Sequence, residues 1–452
     1  MKPANTNLTV SEASRLLDAG KLTPSDLVER CIETTERLQP ELNAYITFAP
    51  EQARQEAARL TGFLRENRRT SPLQGIPFAA KDLLFAKGLP ATAGSRQMKD
   101  FVPEEDGAAV AAMRQAGAIL MGKTNTQEWG CGPAGDQSYF GPVRNPWNTA
   151  CISGGSSSGS AAAVAAGLVP CALGSDAGGS IRIPAALCGI VGFKPSFGLV
   201  SSEGSFRGSL HLGCIGPMTN TVEDAAILMD TLASEGRGRF RSTVLSADSL
   251  AGKHLTVPEN LLADCIQPEV EAAFWNAVRV LEGEGATVER AEIPFLAEIP
   301  TLSSAITFPE IAYLHRERLQ ADPEGYQPFI RSRIEKGFSY SAIEYIHALQ
   351  KREEYIEMWN ELMRRTDCVL LPTVPITAYP LFQEKMQLYG REYSCSELLV
   401  RHTRAANVIG CPALSIPSGL AGGLPTGLML MGGIRNDAEL LALGALAEAA
   451  LR

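Results

Sequence analysis

Between Leu73 and about residue 220, short apolar runs alternate with glycine-rich turns. A chain that keeps turning on glycine after a short apolar stretch builds buried strands joined by tight loops. Ile76 to Ala80 and Ala118 to Met121 read as two such strands. Between them, Asp106 is placed to cap a helix that carries Val110 and Met113 and closes at Gly117. Ser160 to Ala166 reads as an alanine-rich helix, and Val191-Gly192-Phe193 opens a further turn-rich section.

The flanks fit the same plan. Residues 9 to 40 read as two helices, started by Thr9-Val10-Ser11-Glu12 and by Thr23-Pro24-Ser25-Asp26, and Glu51 to Arg69 as a charged surface helix. Leu255 to Val257 is a strand. Amphipathic helices follow over Val270–Glu284, Pro309–Gln320 and Ser341–Arg365. Cys368 to Leu371, Ala413 to Ile416 and Gly427 to Met431 read as strands, and Ala438 to Leu451 as a closing helix. Strands alternating with helices predict an α/β fold with a largely buried sheet. The expected division is an N-terminal helical segment, 1–70, packing on the core or on a partner, and a main domain, 71–452, with a helical insertion near 265–365.

Composition narrows the function. Of 452 residues, 45% are hydrophobic and 20% charged, the profile of an ordinary globular chain. Lysine and arginine total 41 against 50 acidic residues, so the net charge is −9. Without a basic run, the chain lacks the electrostatic footprint of a nucleic-acid or anionic-membrane binder. The longest apolar run, Ala161 to Leu173, is too short to span a bilayer and contains Pro170. The opening Met1–Asn7 has no apolar signal core, which gives a cytoplasmic location by default. The ten cysteines form no C-x-x-C pair and the five histidines are dispersed, so buried reduced thiols are expected and no metal site.

Three patterns compete for the chemistry. Gly117 to Thr124 matches the phosphate loop G-x-x-x-x-G-K-[ST] letter for letter. Its middle, Ala-Ile-Leu-Met, reads as a strand, and a helix precedes it, which is the wrong context. Gly155 to Gly159 matches the nucleophile elbow G-x-S-x-G with Ser157 as nucleophile. The approach through Asn148 to Ser153 is too polar for the strand that an elbow requires. The third pattern is distributed over Lys81-Asp82, the serine–glycine stretch 153–160, and Ser175 to Arg182. A lysine at the C-terminal end of a strand points into the crevice where α/β sheets bind ligands, and burial would let it act as a neutral base. Gly178-Gly179 beside Ser180 offers bare N–H groups able to hold an oxyanion. A weak serine nucleophile needs a base, and a lysine acting through a second serine supplies one.

These stretches resemble the amidase signature family: Gly75 to Asp82, Gly154 to Val164, and Gly174 to Ala185, with Thr124 to Glu128, Asn145-Pro146-Trp147, Gly192 to Pro195, Gly410 to Ala413 and Gly423 to Gly427. The resemblance implies an α/β/α layered fold around a large twisted mixed sheet. It implies a triad of Lys81, Ser156 and Ser180, a cis peptide at Gly155–Ser156, and an oxyanion hole from Ala177, Gly178, Gly179 and Ser180. Trp129, Gly130, Cys131 and Gly132 are candidates for the substrate pocket, and Tyr313, Tyr326 and Phe329 for an aromatic wall. The expected activity is hydrolysis of an amide, anilide, carbamate or ureido C–N bond, with no cofactor and a small-molecule substrate; a homodimer stays open. The alternative is the A subunit of a tRNA-dependent amidotransferase, and a remote one is a nucleotide-binding protein using Gly117–Thr124. Ser158 stands where glycine is common in the family, Ala177 where threonine is frequent, and Ile183 where the amidotransferase usually has glutamine.

Overall fold

The computed structural model describes residues 8–236, 238–262 and 265–452; the Met1–Asn7 opening lies outside them. Its strands in chain order are β1 (Tyr45–Phe48), β2 (Pro77–Lys81), β3 (Ile119–Thr124), β4 (Arg144–Asn145), β5 (Asn148–Ile152), β6 (Cys171–Asp176), β7 (Val191–Lys194), β8 (Cys214–Thr219), β9 (His254–Pro258), β10 (Thr287–Ala291), β11 (Cys368–Pro372), β12 (Lys385–Leu388), β13 (Arg391–Ser394), β14 (Ala413–Ala421) and β15 (Leu424–Met431). Eleven of them form one sheet in the order β1-β3-β2-β6-β8-β7-β14-β15-β11-β9-β10. β2 runs parallel to both β3 and β6, whereas β8 is antiparallel to β6 and to β7. β4–β5 and β12–β13 are separate two-stranded ribbons.

Both faces of the sheet are covered, so its central strands carry apolar residues without a polar side. Along β2 the side chains alternate between two cores. Phe78 and Ala80 enter one with Leu120, Cys171 and Leu173, while Ala79 enters the other with Ile119, Met121 and Ala172. Helices Ala108–Gln115, Val222–Leu232 and Asp437–Leu451 cover the first face; Pro24–Leu42, Pro50–Leu64 and Ser158–Ala165 cover the second. The first helix, Val10–Asp18, starts with a Thr9–Glu12 capping box. It is pinned by Asp224, whose buried carboxylate accepts the N–H groups of Val10 and Ser11 at 2.9 Å each.

Four local expectations change. Asp106 does not cap its helix, which begins at Ala108; it accepts the Lys87 N–H and pairs with Arg114. The charged helix ends at Leu64, short of Arg69. Val191–Lys194 is a sheet strand where a turn-rich section was expected, because four residues are too few to display a period. The helix expected to start at Pro309 spans Pro294–Ala321 and passes through Pro300 and Pro309. Proline at a helix start is the common reading; here burial of Ile299, Ile306, Phe308 and Ile311 outweighs the backbone hydrogen bonds lost inside the helix.

Candidate active site

Lys81 is the last residue of β2, and β6 ends beside it in Ser175-Asp176. The lysine therefore emerges at the carboxyl edge of parallel strands, where open α/β sheets leave a crevice. It is 0% exposed. Its Nζ lies 2.6 Å from Ser156 Oγ, 3.0 Å from Ser175 Oγ and 3.5 Å from the Ser175 carbonyl oxygen. Among the described residues no carboxylate pairs with it. Burial pulls its pKa down to about 7, against the opposing pull of the negative charge on Asp176.

Ser156 follows a cis peptide bond from Gly155, as the resemblance implied. Its carbonyl accepts from Thr126 Oγ1 at 2.8 Å and the Gln127 N–H at 3.3 Å. The helix after it runs from Ser158 to Ala165 and presses against the chain: a Cβ on Gly159 would stand 2.2 Å from the Ala44 carbonyl oxygen. Ser157 is fully buried and turned away. Its Oγ donates to the Ser175 carbonyl and accepts the Ser175 N–H. A hydroxyl fixed on both sides to backbone is not an elbow nucleophile, and that reading fails.

The Ser180 loop is built around Asp176. The carboxylate accepts the Gly179 N–H at 2.7 Å, the Ile181 N–H at 3.1 Å, two bonds from Arg182 at 3.0 Å and one from Asn407 Nδ2 at 2.9 Å. Burial pushes this carboxyl up, but the Arg182 charge and these bonds outweigh it and hold it well below the usual range. Gly179 has φ +126°, and a Cβ there would lie 2.2 Å from Thr403 Oγ1. Because the Gly179 N–H is taken by Asp176, it is not free to meet a substrate oxygen, contrary to expectation. Among the described residues the N–H groups of Ala177, Gly178 and Ser180, and Ser180 Oγ, have no protein partner. Ala177 and Ser180 line a cavity of about 570 Å³ with Ser156, and they also line a pocket of about 80 Å³.

Gly130, Cys131 and Gly132 line the smaller pocket, but Trp129 does not. Trp129 is 3% exposed and packs edge-on against Phe206 and His315, behind the wall. Tyr313 is exposed, and the Tyr326 hydroxyl shares a hydrogen bond with His315; neither lines a cavity beside Ser180, and nor does Phe329. Phe308 takes that place. The phosphate-loop reading also fails. Ile119–Thr124 is strand β3, and Lys123 is wholly buried, with its Nζ 3.0 Å from Asp82 Oδ1. Removing the cation alone strands a buried carboxylate, so Lys123→Met is expected to cost about 3–5 kcal/mol of stability, read as a lower urea midpoint.

Sequence reasoning missed Ser175, Asn407, Thr403 and Arg333. Ser175 had a signal, since it ends an apolar run at the same sheet edge as Lys81. Asn407 and Thr403 reach the Asp176 loop from more than 220 residues away, as Thr403 Oγ1 donates to the Gly178 carbonyl, and nothing local marks them. Arg333 is one cation in a charged helix.

The family model described as Amidase matches residues 26–441. The A subunit of the glutamyl-tRNA(Gln) amidotransferase of Chloroflexus aggregans is 33% identical over 471 residues, covering 97% of this chain and 95% of that protein. A crystal structure of an amidase is 35% identical with a TM-score of 0.92, covering 98% of this chain and 100% of its own. The crystal structure of the A subunit of the Thermotoga maritima glutamyl-tRNA(Gln) amidotransferase is 32% identical with a TM-score of 0.80, covering 97% and 94%.

Proposed function

Because the chain belongs to the amidase signature family, we propose that it opens an amide-type C–N bond through a seryl acyl-enzyme. The contact that carries this reading is Lys81 Nζ to Ser156 Oγ at 2.6 Å, made by a lysine with no counter-ion among the described residues. Neutral Lys81 takes the proton of Ser156, which takes that of Ser180. Ser180 Oγ attacks the carbonyl carbon, and the free N–H groups of Ala177, Gly178 and Ser180 receive the oxyanion. The C–N bond breaks as Ser156 returns a proton to the leaving nitrogen. Water then repeats the transfer, releasing the acid and restoring Ser180.

Two carriers of this chemistry are in play. The curated relatives favour the A subunit of an amidotransferase over the free-standing amidohydrolase that the sequence motifs put first. In the amidotransferase reading the chain needs partner proteins, charged tRNA and ATP, whereas a free hydrolase turns over alone. Both readings require Ser180 as nucleophile. A fluorophosphonate should therefore label the purified chain at Ser180, mapped by peptide mass spectrometry. Labelling at Ser157, or at no serine, refutes the assignment.

A further inference from the structure

We propose that the small pocket beside Ser180 receives a short acyl group bearing a carboxylate and no ammonium, with Arg333 as its anion partner. The inference rests on the seryl acyl-enzyme reading and names its substrate class.

Arg333 projects from the helix Pro328–Gly337 into the pocket lining, next to Cys131, Phe308 and Arg404. Its guanidinium carbon sits 5.1 Å from the Phe308 ring centre and 5.5 Å from that of Phe329. These rings place the cation but do not neutralise it. Among the described residues Arg333 makes no hydrogen bond and no ion pair, and its Nε is shut off from solvent without an acceptor. A cation with a buried, unsatisfied donor is costly unless an anion completes it, and a guanidinium matches a carboxylate in shape. Arg404, the second cation of the lining, is paired at 2.9 Å with Glu397, a residue outside it.

What the lining lacks decides between anions. It contains no aspartate or glutamate. Burial pushes the Cys131 thiol up to about 11, so it stays neutral and adds no negative charge. An ammonium entering the pocket would meet the unpaired Arg333 guanidinium and no carboxylate in the lining, a like-charge arrangement that selects against it. Ile311, Phe308 and Val400 give the wall its apolar part, Ser303, Ser304 and Thr307 add neutral hydroxyls, and the volume of about 80 Å³ suits a short chain. Monoamides of short dicarboxylic acids and carboxylated ureas satisfy these conditions. Glutamine, which carries both charges, does not.

The test is protection of Ser180 in the purified full chain against a fluorophosphonate by three amides of similar length: succinamate, butyramide and glutamine. Succinamate is expected to slow labelling at a concentration about 10–100-fold below that needed for butyramide or glutamine, the range of a charge-assisted hydrogen bond. In Arg333→Met that advantage should vanish, each variant being referred to its own rate without competitor; Arg333→Lys should restore part of it. If Arg333→Met does not fold, the wild-type ranking alone decides. Labelling at Ser180 with equal protection by all three, or best protection by glutamine, overturns the substrate class and leaves the acyl-enzyme reading standing. Absence of labelling at Ser180 removes both.

Discussion

Ser180→Ala is expected to lower kcat by about 10⁴-fold or more and to leave the melting temperature where it was. The two halves of this result have separate causes. Ser180 Oγ has no hydrogen-bond partner among the described residues and faces the cavity, so its removal leaves no buried polar atom unsatisfied. Substitutions of that kind stay within about 0.5 kcal/mol. The rate falls because no other hydroxyl can take over the attack. Ser156 is occupied by Lys81, and Ser157 by both backbone groups of Ser175. What survives is the catalysis supplied by binding and by the free N–H groups, and knocking out a nucleophile in a coupled triad removes nearly everything above that floor. Single-turnover assays with an activated anilide, alongside thermal melts, measure both halves. Wild-type turnover by Ser180→Ala would end the assignment; a large loss of melting temperature would turn the serine into a structural residue.

The legible part of this protein was whatever sits at, or a few residues past, the end of a short apolar strand. Lys81 follows Phe78-Ala79-Ala80, and Ser180 follows two glycines after the apolar β6 strand, so position in the chain already implied position in a crevice. The alternation of Phe78, Ala79 and Ala80 between two cores likewise shows as an unbroken apolar run, the mark of a sheet covered on both faces. The carboxyl side of the site was not legible. Asn407 and Thr403 act on the Asp176 loop across a sequence separation that no local pattern spans. Gly179 misled for a related reason. A glycine pair signals a loop whose N–H groups are uncovered, but the sequence does not say that Asp176 folds back to accept one of them. Trp129 misled because a large aromatic beside glycines fits a pocket wall and a core equally well, and only the neighbours Phe206 and His315 decide.

Lys81→Met should abolish turnover while making the protein more stable at mildly acidic pH. The lysine is buried without a carboxylate partner among the described residues, and burial brings its pKa from 10.5 to about 7. For a base, that lowering favours the neutral form. Below pH 7 the folded protein must hold a charged ammonium out of water; between pH 7 and 10.5 the unfolded chain binds a proton that the folded chain does not, so stability contributed at this site rises with pH. The shift of 10.5 − 7 = 3.5 corresponds to a cost of about 5 kcal/mol at pH 6, falling to about 2 kcal/mol at pH 9. Methionine removes the cost and fills the same space, at the expense of the hydrogen bonds to Ser156 and Ser175. The expected sign is therefore a melting temperature above wild type at pH 6, with the difference shrinking toward pH 9. Wild-type activity follows the same proton and rises with pH as well. An ammonium has no lone pair for the Ser156 proton, so wild-type kcat/KM should climb through pH 7 and level off above it. A profile flat from about pH 5 to 9, with Lys81→Met still turning over, would place the base elsewhere. A variant that lost activity but was less stable than wild type at pH 6 would mean that the serine contacts, rather than the desolvated charge, dominate the energetics of this buried amine.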